Sequence, residues 1–297
     1  MHLGMASYVI ITPAHNEEAF IEKTLNSVVA QTALPLKWVI VNDGSDDRTG
    51  EIVERYARHH RFMQLLQVTR PAGRDFGNKA RAFNLGLETV RHLSYDYIGN
   101  LDADISLPRD YYEAILSEFD RESKLGISGG MISSFVEGQF ISQDVALDSV
   151  AGAVQLFRRE CFEQTGGYMA LPQGGIDTAA EIIARKNGWI VQTRPELRVL
   201  EYRRTGTATA RPLTARIREG KRLHALGYSF LFFFLRCVYR SMERPKLIGS
   251  VAAFYGYLIS VLRRQPMVLP PDVVKYLRTE QNMKILQMVK RYGFRQR

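Results

Sequence analysis

Two carboxylates separated by a single residue, Asp102 and Asp104, are the feature of this sequence best suited to chemistry. On an extended segment alternate side chains point the same way, so the pair converges on one spot. Paired carboxylate oxygens suit a hard divalent cation, Mg²⁺ or Mn²⁺, which in turn binds the oxygens of a diphosphate. An isolated Asp-x-Asp is more often a solvated acidic turn or a helix cap. Here the pair directly follows the buried-strand run Tyr95–Leu101, and that position makes a metal role the better reading. Asp43 ends another such run, Trp38–Val41, where it can accept hydrogen bonds from a base or ribose or form an Asx turn with Gly44.

These residues act together only if a fold gathers them, and the hydrophobic pattern supplies one. Tyr8–Thr12 is an apolar β-branched run closed by Pro13; Trp38–Val41, Phe62–Val68 and Tyr95–Leu101 are three more strand-like runs. Between them, apolar residues recur at helical spacing over Glu17–Gln31, Glu51–His60 and Asn78–Leu93. Strand–helix alternation with short connections predicts βαβ units and a mostly parallel, Rossmann-like α/β sheet. Ligands in such sheets sit at the carboxyl ends of the strands, where the polar clusters 13–17, 42–46 and 102–104 all fall. The middle of the chain is mixed. Gly129–Ile132 and Val154–Phe157 read as strands, Gly166-Gly167-Tyr168 as a turn, and Asp177–Lys186 as a helix stopping near Gly188. Residues 205–210, small and poor in core formers, read as a mobile loop; helical segments follow around Phe230–Val238 and Leu247–Leu262.

The chain has 297 residues, 45% of them hydrophobic and 24% charged, ordinary values for one large domain with an appendage or for two modest domains. Its net charge of +9 conceals a split. Residues 1–202 carry 20 Lys and Arg against 27 Asp and Glu, whereas residues 203–297 carry 20 against 4. An acidic body with a strongly basic end implies an anionic partner, which by charge alone fits nucleic acid, a membrane surface or a phosphate-bearing substrate. Cys161 and Cys237 lie far apart without metal or redox spacing and read as idle thiols in a reducing compartment. With no secretory signal before Tyr8, a cytoplasmic location is expected. The GxGxxG phosphate loop is absent, which argues against a hydride-transfer dehydrogenase.

Four segments taken in order carry a resemblance: Thr12-Pro13-Ala14-His15-Asn16-Glu17-Glu18, then residues 41–49 around Asn42-Asp43-Gly44-Ser45, then residues 77–86 from Gly77-Asn78-Lys79, then Leu101-Asp102-Ala103-Asp104. Together they resemble the signature of the family 2 glycosyltransferases of GT-A fold, over roughly residues 8–202; any one alone is weak. The resemblance implies an inverting, metal-dependent transferase that uses a nucleotide-diphosphosugar donor. It implies that Pro13, Ala14 and Glu17 border the nucleotide and that Asp43 contacts the base. Lys79 and Asp102 then lie by the nucleotide-sugar, Asp104 is on the metal, and Gly166-Gly167-Tyr168 is on the acceptor side. Asp177 resembles the catalytic base at the start of a helix that ends in Gly188-Trp189, although Ile176 stands where the family usually has a second acid. Glu181, one turn on, is the fallback, and a plain N-cap role for Asp177 is the structural alternative. After the body the family often has a His; here Leu200-Glu201-Tyr202-Arg203-Arg204 offers Glu201 as a metal ligand or Arg203 for the diphosphate. The Gln-x-x-Arg-Trp pattern of processive synthases is missing, which favours single additions, in cell-surface polysaccharide or glycolipid assembly.

The expected organisation is therefore a transferase domain over 1–202 and a basic helical extension over 203–297. The uncharged stretch Leu247–Leu262 falls short of the roughly 18 apolar residues of a membrane span, and Arg236 interrupts Phe230–Val238. Such segments suit the plane of an anionic membrane, on its inner face, or a hairpin packed on the body. The acceptor implied is a carbohydrate or a lipid-linked one. Two rival readings are a degenerate nucleotide-sugar-binding protein without turnover and, less suited to these apolar helices, a nucleic-acid binder.

Overall fold

A computed structural model of the chain describes residues 6–69, 77–143, 146–203, 212–240 and 247–293. The loop expected at 205–210, Arg204 and Lys246 lie outside the described residues. Two compact units emerge: Met1–Pro172 with Ile176–Thr205, and Gln173–Gly175 with Gly206–Arg297.

In the first unit, β1 (Tyr8–Ala14), β2 (Lys37–Asp43), β3 (Met63–Val68) and β4 (Tyr97–Asn100) lie in the order β3-β2-β1-β4, each pair parallel. β1 and β2 are apolar on both faces because both are covered. Tyr8, Ile10, Trp38 and Ile40 share one core with α1 (Ile21–Val29), α2 (Thr49–Ala57) and α4 (Tyr111–Arg121). Ile11 and Val41 face the other way, onto α3 (Gly77–Val90), where a Cβ on Gly86 would come within 2.7 Å of Ile11 and 2.9 Å of Val41. That glycine lets α3 press onto the sheet, and Lys79, two turns earlier on the same face, is thereby aimed at the strand ends.

Beyond β4 the sheet runs β8 (Leu156–Arg158), β6 (Leu125–Val136), β9 (Ile190–Glu201) and β5 (Ile105–Ser106), with β7 (Gln139–Ser142) on β6. β8 is antiparallel to both neighbours, while β6 and β9 are parallel. The expected strand at Gly129–Ile132 is the centre of a twelve-residue strand. β9 has no counterpart in the sequence reading because its alternation is broken: Val191 and Thr193 point inward before Pro195-Glu196, and Leu197, Val199 and Glu201 after it. The register jumps there from Gly130↔Arg194 to Met131↔Arg198. Helices α5 (Arg159–Thr165) and α6 (Ile176–Lys186) complete the unit.

The second unit holds α7 (Pro212–Ala225), α8 (Phe230–Tyr239), α9 (Ile248–Leu262) and α10 (Pro271–Gly293). α7 and α9 cross backbone to backbone: a Cβ on Gly220 would strike the Ala253 carbonyl, and one on Gly256 the Ile217 carbonyl. Only glycine permits that approach. α8 rests on α9 through Phe233, whose ring stacks on Tyr257 at 4.6 Å. No helix of the described residues is long and apolar enough to cross a membrane.

Candidate active site

The Asp102–Asp104 segment leaves the end of β4 with its backbone fixed on three sides. Asp102 N donates to the Ala153 carbonyl, Thr24 Oγ1 donates to the Ala103 carbonyl at 2.8 Å, and Tyr202 N donates to the Asp104 carbonyl. Asn100 stands two residues before Asp102, on the same side of the strand by the pleat. Its amide reaches Asp102 Oδ1 at 3.0 Å and the Gly152 carbonyl at 2.5 Å. Lys79 Nζ lies 2.6 Å from the same Asp102 oxygen. Burial works against the charge on Lys79, yet Asp102, with Asp177 and Asp104 behind it, holds its pKa above the ordinary lysine value. Asp102, Asp104, Lys79 and Asp177 are thus electrostatic neighbours.

Asp104 is crowded by its own sign. Burial, then Asp102 and Glu201, push its carboxyl up to about 7 against the pull of Arg203 and Lys79. Glu17, in the turn before α1, rises to about 8 by burial, although Arg203 sits on it at 2.7 Å. Asp104, Asp102 and Asp47 add to the rise. Arg203 also donates to the Asn16 carbonyl, and Asn16 itself is in the left-handed region at φ 56°. Pro13 and Ala14 close β1 opposite Val41 and Asn42 of β2. Asp43 is the last residue of β2, and the His15 ring donates to its carbonyl at 2.7 Å. Glu201 takes a different path from Arg203: it accepts from Ser134 Oγ at 2.6 Å and from Gln143 Nε2 at 3.4 Å.

α6 begins at Ile176, so Asp177 is inside the first turn and not the residue that caps it, a position where the helix dipole favours a carboxylate. Its side chain rests on Gly152, where an added Cβ would be 2.8 Å from Asp177 Oδ2. The strap 149–155 is therefore shared, with Asn100 holding one side of Gly152 and Asp177 the other. Glu181, the alternative base, is only 3% exposed and anchors that strap from beneath. It accepts from Ser149 Oγ at 2.8 Å, Val150 N at 2.7 Å and Gln155 Nε2 at 3.0 Å. Burial pushes its carboxyl to about 7. Gly166 and Gly167 form the left-handed end of α5 at φ 74° and 71°. Tyr168 is buried among Phe83, Phe157 and Phe162, and its hydroxyl donates to Gln155 Oε1 at 2.6 Å. Asn100, Gly152 and the Ser134–Gln143 pair on Glu201 are absent from the sequence reading. Only Asn100 carried a local signal, its two-residue spacing from Asp102.

Comparison with known proteins places the chain in a family. The sequence model described as Glycosyl transferase family 2 matches residues 9–174, more than half of the chain. Poly-β-1,6-N-acetyl-D-glucosamine synthase of Staphylococcus epidermidis is 26% identical over 185 residues, covering 56% of this chain and 42% of that protein. The uncharacterized glycosyltransferase EpsJ of Bacillus subtilis is 31% identical over 120 residues, 40% of this chain and 32% of that protein. The chain thus spans less than half the length of these curated relatives. Among solved structures, S. aureus TarS in complex with UDP-GlcNAc superposes with a TM-score of 0.54 at 16% identity, over 85% of this chain and 71% of that one. The mannosyltransferase PcManGT from Pyrobaculum calidifontis, in complex with GDP-Man and Mn²⁺, gives 0.55 at 18%, over 95% and 81%. At such identities the structures establish the GT-A fold. Together with the family match over residues 9–174, they make the conclusion plain: this chain belongs to glycosyl transferase family 2.

Proposed function

We propose that this enzyme transfers a sugar from a nucleotide-diphosphosugar to an acceptor hydroxyl, one residue at a time and with inversion at the anomeric carbon. The observation that carries the reading is the convergence of Asp102, Asp104, Lys79 and Asp177 at the carboxyl ends of parallel strands. Asp43, Pro13, Ala14 and Glu17 border the nucleoside, and Lys79 and Arg203 face the diphosphate. Gly166, Gly167 and Tyr168 shape the acceptor side, with Tyr168 acting through its packing. Asp177 takes the proton of the acceptor hydroxyl as that oxygen attacks the anomeric carbon from the face opposite the diphosphate. The old C–O bond breaks towards the diphosphate, whose growing charge falls on Lys79 and Arg203.

A divalent cation fits the donor set. Among the described residues no three His, Cys, Asp or Glu side chains converge on one point. Asp104, with Asp102, would therefore supply one or two carboxylate oxygens and leave the rest of the shell to diphosphate and water, as Mg²⁺ and Mn²⁺ accept readily. Burial, and then the like charges of Asp102 and Glu201, penalise the charge on Asp104, and a bound cation would relieve both penalties. Bound there, the cation supplies charge neutralisation at the leaving diphosphate.

The relatives make polysaccharide at the cell surface the best-supported setting, with a carbohydrate or lipid-linked acceptor. The basic, apolar second unit supports peripheral attachment to the inner face of the membrane. A thermal-shift screen of nucleotide sugars, with and without Mn²⁺, tests the donor reading. One nucleotide sugar should stabilise the protein, more so with Mn²⁺. A protein indifferent to all of them would contradict it.

A further inference from the structure

Three arginines of the second unit meet in one pocket, and none of them is among the residues given a role in glycosyl transfer above. Arg216 and Glu219 reach it from α7, Arg236 and Cys237 from α8, Arg240 from the residue that caps α8, and Gly249 and Ser250 from the first turn of α9. Among the described lining residues Glu219 is the single acid. Its carboxylate accepts from Arg216 at 2.9 Å and from Arg240 at 2.8 Å, with Arg236 at 3.6 Å. Burial opposes the charge on Glu219, but Arg240, Arg216 and Arg236 overcome it and keep the carboxyl below its ordinary value. Arg216, Arg236 and Arg240 thus bring three guanidinium groups to one lining, on side chains that are 23–40% exposed. Leu247, the residue before α9, provides no capping side chain, so the partial positive charge of that helix end adds to the same spot. Two-pronged guanidinium groups in such numbers are the usual apparatus for phosphate.

The surroundings identify the kind of phosphate. One position round from the pocket, α8 exposes Phe230, Leu231, Phe234 and Val238, each 45–55% accessible. α9 exposes Ile248, Val251, Tyr255 and Leu262 at 56–70%. Phe254 joins the two stripes by ring contacts with Phe230 and Phe234. A contiguous apolar surface rimmed by guanidinium groups matches the boundary between headgroups and acyl chains. We propose that the Arg216–Arg236–Arg240 pocket binds phosphate, and that the occupant is a lipid headgroup met as the α8–α9 face enters the membrane. This deepens the peripheral-membrane reading and does not depend on which sugar is transferred.

The test is co-sedimentation of the full chain with phosphatidylcholine vesicles containing either phosphatidic acid or phosphatidylserine at matched surface charge, beside a thermal-shift titration with inorganic phosphate against chloride. Wild type should prefer phosphatidic acid, and inorganic phosphate should raise its melting temperature. In a variant with Arg236→Gln and Arg240→Gln, phosphatidic acid binding should fall at least about tenfold, since each basic residue near an anionic surface contributes roughly fivefold. Lys275→Gln with Lys290→Gln, the same charge lost on exposed positions of α10, should cost less and spare the lipid preference. Glu219→Gln removes the competing carboxylate and should tighten phosphate binding, a change in the opposite direction that misfolding cannot mimic. Equal binding to the two lipids, equal losses in the two double variants, or no gain in Glu219→Gln would overturn the pocket. A protein that takes inorganic phosphate but ignores every vesicle would overturn the lipid occupant and the membrane reading together, leaving the transferase reading untouched.

Discussion

Gly152→Ala isolates the contact on which the proposed base depends. The added methyl would lie 2.9 Å from Asp177 Cβ, 3.1 Å from Cγ and 2.8 Å from Oδ2. Carbon atoms settle about 3.5–4.0 Å apart, so the carboxylate or the strap must yield by roughly 0.5–1 Å. The strap is poorly able to move, because Asn100 holds the Gly152 carbonyl and Glu181 holds Ser149, Val150 and Gln155. Asp177, on the first turn of α6, is the side that gives. Overpacking of this size costs about 1–3 kcal/mol, a fall of a few degrees in Tm. Displacing a reacting group by ~1 Å can cost about 10²-fold in rate. The prediction is a drop in kcat near two orders of magnitude with KM for the donor nearly unchanged, read as release of nucleoside diphosphate from the donor that the thermal-shift screen selects. A Gly152→Ala enzyme with wild-type kcat would refute the claim that the strap sets the position of the base.

Other consequences follow from the same geometry. Asp104→Asn should leave the fold intact, raise the stability of the ligand-free protein slightly by relieving repulsion, and abolish the extra stabilisation that Mn²⁺ gives to nucleotide binding, all visible in one melting series. The raised carboxyls set a signed pH dependence. Glu17 and Asp104, at about 8 and about 7, hold protons in the folded chain that the unfolded chain releases in the ordinary carboxylate range. Their contribution to ligand-free stability is therefore full at low pH and lost as pH rises through 7 to 8. Stabilisation by Mn²⁺ should run the opposite way, growing as pH climbs through 7; melting curves from pH 5 to 8.5, flat in both respects, would contradict the cluster. Glu181→Gln cannot accept all three hydrogen bonds of the strap and should lower stability by about 1–3 kcal/mol, measured by denaturant unfolding, without the selective kcat loss of a missing base.

Much of the first unit was legible because its strands are buried on both faces and leave unbroken apolar runs. Tyr8–Thr12 and Trp38–Val41 announce themselves that way, and the polar clusters behind them mark the ligand end of a parallel sheet. Asp102 and Asp104 could be paired from the alternation of an extended chain alone. β9 was not legible, because Pro195-Glu196 interrupts its alternation and its inward positions are chosen by a partner strand more than fifty residues away. Gly152 was equally silent. A glycine between two alanines carries no signal until the fold brings Asp177 onto it, and the same holds for Gly220 and Gly256 at the crossing of α7 and α9. The Arg216–Arg236–Arg240 pocket draws on two helices and the start of a third; in the sequence it was only part of a net positive charge.

The most direct test of the account is the kinetic comparison of Asp177→Asn with wild type, using the selected donor, Mn²⁺ and an acceptor glycan. The amide keeps the size of the side chain and cannot take a proton. Release of nucleoside diphosphate in the presence of acceptor should fall by about 10²–10⁴-fold, while the thermal shift produced by donor and Mn²⁺ stays as in wild type. Retention of near-normal turnover by Asp177→Asn would contradict the assignment of the base, and with it the account of how this site transfers a sugar.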